Sequence, residues 1–126
     1  MSRIRGKNTK PELVVRSFLH HGGFRYRIHQ STLPGKPDVV LSKYKTVIFV
    51  HGCFWHRHKG CKYAYAPKTR KTFWKHKFID NVNRFRQVRM QLAKIGWKTL
   101  IIWECETDNI KKLSRIMNTL KQNRGI

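Results

Sequence analysis

From Val47 to Cys61 the chain reads VIFVHGCFWHRHKGC, a short apolar run that passes directly into three histidines, two cysteines and a Phe-Trp pair. Val, Ile and Phe in succession favour a buried strand. A strand that feeds soft metal ligands, imidazoles and aromatic rings into the loop beyond it points to metal binding or catalysis on a sheet scaffold. The fold must therefore contain a sheet whose strand ends carry the chemistry.

At 126 residues the chain has the length of one domain, spanning 1–126, with enough bulk for a core without disulfide staples. Its 28 Lys and Arg against 6 Asp and Glu leave a formal charge of +22. The basic residues recur from Arg3 to Arg124. The charge thus belongs to a folded surface and predicts a polyanionic partner bound in a salt-dependent way. No apolar run approaches the ~20 residues of a membrane span. The opening MSRIRGKNTK lacks the apolar stretch of a signal peptide, so a cytoplasmic protein is expected, with no membrane partner.

Three cysteines argue against a disulfide framework, since pairing leaves one over. Cys53, His58 and Cys61 share the loop after the first apolar run, and Cys105 closes the later run TLIIWEC, where a neighbouring strand can deliver it. Together they make a Cys3His set suited to structural Zn2+. His56 is an alternative to His58 at this stage, and buried free thiols or a disulfide are the alternatives to a metal.

Punctuation orders the remaining elements. Thr9-Lys10-Pro11-Glu12 has the form of a capping box, followed by a stripe of Leu13, Val14, Phe18 and Leu19 in a helix to about His21. Gly22-Gly23 stops it, and FRYRIH from Phe24 alternates as a half-buried strand does. Asp38 to Leu41 and Thr46 to Val50 read as two β runs joined at Ser42 to Lys45, a short connection that favours an antiparallel hairpin. A long helix from Thr72 to Ile95 is expected to bury Phe78, Ile79, Val82, Phe85, Leu92 and Ile95, and Lys98 to Trp103 is a buried strand. A last helix from Ile110 to Leu120 carries Ile110, Leu113, Ile116, Met117 and Leu120 on one side. The order α, β, β, β, α, β, α predicts an α/β domain with a mixed central sheet flanked by helices.

The rare acids can be taken singly. Asp80 is placed to pair with Arg84, and Asp108 to cap the last helix. Glu104 and Glu106 flank Cys105 without an assigned role. Glu12 serves the capping box or faces a metal. Asp38 differs from all of these: it stands after Gly35-Lys36-Pro37 at the mouth of an apolar strand, a poor place for a carboxylate unless a cation binds there.

Pro37-Asp38 opening a hairpin in a small basic α/β chain resembles the start of the PD-(D/E)xK restriction-endonuclease-like core. LPGKPDVVL, VIFVHGCFWHRH, KTRKTFW and GWKTLIIWEC follow one another in the order found in very short patch repair (Vsr) endonucleases, and SRIRGKNTKPE resembles the beginning of that family. The resemblance implies an endonuclease that nicks the T-containing strand beside a T:G mismatch left when 5-methylcytosine deaminates. It implies Mg2+ held by Asp38 and the backbone carbonyl of Val50, and active-site roles for His51, His56 and Glu12. His56 falls on the general base and His51 on its partner at the phosphate or a metal-bound water, with the two exchangeable. It also implies Zn2+ on Cys53, His58, Cys61 and Cys105, and rings of Phe54, Trp55 and Trp74 inserted into the base stack. Double-stranded DNA is the implied partner of a monomer in a bacterial-type cytoplasm, associated with the nucleoid when bound, with mismatch-repair proteins as further contacts.

Consecutive rings in a ligand loop cannot both point into a core, which favours an exposed role for Phe54 and Trp55. Phe49, Trp97 and Trp103 lie in strand runs and read as core rings. Two other classes remain open to the sequence: a restriction-type nuclease acting on matched DNA, and a non-catalytic, zinc-stabilised DNA-binding module.

Overall fold

The computed structural model describes residues 9–28, 30, 32–53, 58–61 and 65–122. Along the chain run α1 (Lys10–His21), β1 (Arg27–Ile28), β2 (Val39–Leu41), β3 (Thr46–His51), α2 (Lys71–Lys94), β4 (Lys98–Trp103) and α3 (Ile110–Gln122). The sheet has the order β1-β2-β3-β4. β2 is antiparallel to both β1 and β3, and β3 is parallel to β4. This is the expected mixed sheet flanked by helices, with the hairpin where the sequence places it. No helix among the described residues is long and apolar enough to cross a membrane.

Thr9 caps α1 through its hydroxyl, which accepts from the Glu12 N–H at 3.4 Å. The helix buries Val15 and Leu19 and half-buries Val14 and Phe18, so the expected stripe faces inward except for Leu13, which is 48% exposed. Its end is a Schellman motif: the N–H of Phe24 donates to the carbonyl of Leu19 and that of Gly23 to His20, with Gly23 at φ 83°. This also corrects the first strand. Phe24 is held by the helix end and buried in the core, and among the described residues of this stretch only Arg27–Ile28, both exposed, enter the sheet.

The sheet divides two cores. Val39, Leu41, Ile48 and Ile102 point to one face and pack with Val15, Leu19 and Phe24 and with Leu113 and Leu120 of α3. Val40, Val47 and Phe49 point to the other and meet Leu92 of α2, with Phe85, Val88 and Trp97 beside them. The alternation is that of strands covered on both sides.

α2 departs most from expectation. Phe78 and Leu92 are buried, whereas Ile79, Val82 and Ile95 are 46%, 36% and 52% exposed. For Ile79 and Val82 the reason is length: 24 residues make a helix about 36 Å long, while six-residue strands span about 20 Å; Ile95 lies past the helix end as its C-cap. Phe85 meets His51, the last residue of β3, so the turns before Phe85 extend past the strand ends. Three smaller expectations also fail. Asn109, not Asp108, caps α3 by accepting from the Lys112 N–H at 3.2 Å, and Ile110 is 70% exposed. Asp80 forms no ion pair with Arg84 among the described residues.

Candidate metal centre and active site

The parallel register sets His51 beside Trp103. Continued past both strand ends, the same offset sets Cys53 beside Cys105. Strands β3 and β4 therefore deliver the two thiols side by side, and the loop returns His58 and Cys61 to them. One ligand atom from each of Cys53, His58, Cys61 and Cys105 lies within 4.8 Å of all the others. His58 Nδ1 is 3.7 Å from the Cys53 sulfur and 3.5 Å from that of Cys105. A tetrahedron with Zn–S and Zn–N bonds of ordinary length needs ligand separations of about 3.5–3.8 Å. The donor set and spacing fit such an ion. Burial, reinforced by the Cys105 and Cys61 sulfurs, pushes the Cys53 thiol up to about 12, and burial with Cys61 raises Cys105 as well. Without a cation these thiols hold their protons; a divalent ion among them favours the thiolates.

Glu104 and Glu106 gain roles here. Glu104 accepts from the N–H of Cys53 at 3.2 Å, and Glu106 from that of Trp103 at 2.9 Å, so both carboxylates tie down backbone at the mouth of the cluster. Thr107 adds a 2.8 Å bond to the Glu104 carbonyl. The acids around Cys105 satisfy strand-end amides that the sheet leaves unpaired.

Asp38 reaches its place through a tight turn. Pro34 and Gly35 occupy its middle, the Lys36 N–H returns to the Leu33 carbonyl at 3.2 Å, and Gly35 has φ 76°. A Cβ on Gly35 would collide with the Val88 side chain, so this loop can lie on α2 only with glycine there. The chain then enters β2 with the Asp38 carboxylate accepting from the Val50 N–H at 2.7 Å. A short, charge-assisted bond fixes the carboxylate against β3, one residue before His51.

His51 is 5% exposed and boxed by rings: Phe85 at 4.3 Å and 77°, Trp103 at 5.3 Å and 76°, and Phe49 at 6.0 Å. Phe49 and Trp97 are core rings as expected. Trp103 is not: partly buried like Trp97 but part of neither core cluster, it stacks flat on His58 at 4.1 Å and 8°. A cavity of about 460 Å³ opens here, lined by His51, His58, Trp103 and Phe85 with Arg89 and Lys59. The sequence signal for Trp103 is the match of VIFVHGC to TLIIWEC, which aligns it with His51.

Glu12 is 1% exposed on α1, with its carboxylate 3.7 Å from the Arg16 guanidinium. Trp74 is half-buried in the overhanging part of α2, stacked on Phe78 at 5.7 Å, while its neighbour Phe73 is 42% exposed under the Arg70 guanidinium. His56, Phe54 and Trp55 lie outside the described residues.

A mixed sheet whose strand ends bring a Cys3His set suited to a metal ion close to a fixed carboxylate and a buried histidine defines a small α/β protein. The family model for the DNA mismatch endonuclease Vsr matches residues 1–63. The chain is 45% identical over 125 residues to the type II nicking enzyme V.NmeAIP of Neisseria meningitidis, covering 96% of this chain and 89% of that protein. It is 43% identical to the type II nicking enzyme V.XorIIP of Xanthomonas oryzae, over 95% of this chain and 88% of that one. Against the DNA mismatch endonuclease Vsr of Escherichia coli it is 40% identical, over 90% and 72%. The chain belongs to the Vsr family of DNA mismatch endonucleases.

Proposed function

We propose that this protein nicks the T-containing strand of double-stranded DNA beside T:G mismatches that arise from 5-methylcytosine deamination, by Mg2+-assisted phosphodiester hydrolysis. The observation that carries the reading is the Asp38 carboxylate held on the Val50 N–H one residue before His51, at the strand ends of a strongly basic chain. Relatives named as nicking enzymes support cleavage of a single strand.

Asp38 and the Val50 carbonyl would hold Mg2+, which when bound neutralises the scissile phosphate and stabilises the charge developing on it. His56 takes the proton of the attacking water as general base, and His51 contacts the phosphate or orients the water; an imidazole accepts a proton near neutral pH, where a lysine does not. Glu12 completes the acidic side of the site. Zn2+ on Cys53, His58, Cys61 and Cys105 holds the ends of β3 and β4 and takes no part in the chemistry. Phe54, Trp55 and Trp74 enter the base stack, where opening a step costs a few kcal/mol and less at a distorted T:G pair. The protein acts as a monomer in the cytoplasm, and mismatch-repair proteins are its further partners.

The test is Asp38→Ala assayed for binding and nicking on the same labelled T:G duplex. The expected result is binding within a few-fold of wild type with nicking abolished; nicking at the wild-type rate would remove Asp38 from the chemistry.

A further inference from the structure

Trp103 is the last residue of β4, in register with His51, and its indole touches the rings of two histidines with different duties. One face lies flat on His58, a member of the metal cluster, at 4.1 Å and 8° between planes. His51 meets the same indole edge to face at 5.3 Å and 76°. The stack fixes the plane of the indole, because a ring 4.1 Å from a ligand imidazole cannot tilt without moving it. The edge contact then bounds one side of His51, which Phe85 and Phe49 bound elsewhere. A tryptophan that only filled the core would pack into one of the two core clusters; this one belongs to neither and lines the rim of the cavity that His51 also lines.

We propose that Trp103 is a positioning residue that carries the geometry of the Cys53–His58–Cys61–Cys105 metal cluster to the His51 ring. The inference rests on the reading of His51 as an active-site residue. It gives the structural metal an indirect hold on the reaction: the ion fixes His58, His58 fixes the indole, and the indole sets the orientation of His51. Displacing a reacting group by about 1 Å is enough to cost about 10²-fold in rate.

The experiment compares wild type, Trp103→Leu, Trp103→Phe and His51→Ala, each with bound metal determined by elemental analysis and the histidine ring ¹H–¹⁵N resonances recorded with Zn2+ and again after exchange to Cd2+. In wild type the exchange is expected to shift the ring signals of both His58 and His51. In Trp103→Leu the His58 shift persists and the His51 shift disappears, while nicking at saturating enzyme falls about 10²-fold and affinity for T:G duplex changes little. Trp103→Phe, which keeps a flat ring for the stack, restores both the His51 shift and most of the rate. A His51 response that survives in Trp103→Leu, or wild-type nicking by that variant with metal bound, overturns the proposal. If Trp103→Leu does not hold metal, Trp103→Phe decides: loss of its His51 response with metal bound overturns the proposal. Normal nicking by His51→Ala would overturn the catalytic reading of His51 instead, and the metal-dependent ring shift would still decide the coupling.

Discussion

The two faces of the sheet are built from the same strands and do different work. Toward α1 and α3 the packing is largely aliphatic, with Val39, Leu41, Ile48, Ile102, Leu113 and Leu120 all buried. Toward α2 the buried set is smaller and turns aromatic at the strand ends, where Phe49 leads to Phe85, His51, Trp103 and finally the Cys3His cluster. One face supplies stability by area removed from water; the other ends in oriented rings and donors that a minimal core would not need. Residues of β3 alternate between these environments, so neighbours on one strand are expected to fail in different ways when changed.

Four expectations would break or sharpen that division. His51→Ala, on the α2 face, should lower nicking by about 10²–10⁴-fold, the range of a group that handles protons or orients water, with the fold retained by circular dichroism. Ile48→Ala, on the aliphatic face of the same strand and fully buried, should cost about 2–5 kcal/mol in denaturant unfolding and leave the rate per folded molecule unchanged. Equal effects of the two substitutions on rate would erase the distinction. Removing the metal by chelation should expose all three thiols to a thiol reagent and lower the melting temperature, whereas metal-loaded protein reacts slowly. Smallest of all, Ile79→Lys on the overhanging half of α2 should change stability by no more than about 0.5 kcal/mol, because Ile79 is 46% exposed and packs into neither core. A loss several times larger would mean that this half of the helix is covered after all.

Much of this arrangement is legible in the residues. VIFVHGC and TLIIWEC match position for position, apolar run to apolar run and cysteine to cysteine, and the parallel register of β3 and β4 reproduces that match. The hairpin was readable from Ser42 to Lys45, and the odd placement of Asp38 from the polarity of its neighbours. Misread elements share a cause: local pattern does not say how far a partner extends. Ile79 and Val82 have helical spacing, yet six-residue strands cannot cover a 24-residue helix, and Ile95 falls on its C-cap. Phe24 alternates like a strand residue, but the Schellman hydrogen bond to Leu19 claims it first. Trp103 sits in an apolar run, and only the register with His51 and the stack on His58 show that its ring lies between two histidines.

Strand-specific nicking of end-labelled duplexes, with a T:G pair or its matched control, in Mg2+ or EDTA, tests the central claim most directly. The account predicts a Mg2+-dependent nick confined to the T-containing strand of mismatched DNA and abolished by Asp38→Ala. Equal cutting of matched duplex, or salt-sensitive binding with no nick under any condition, would contradict it.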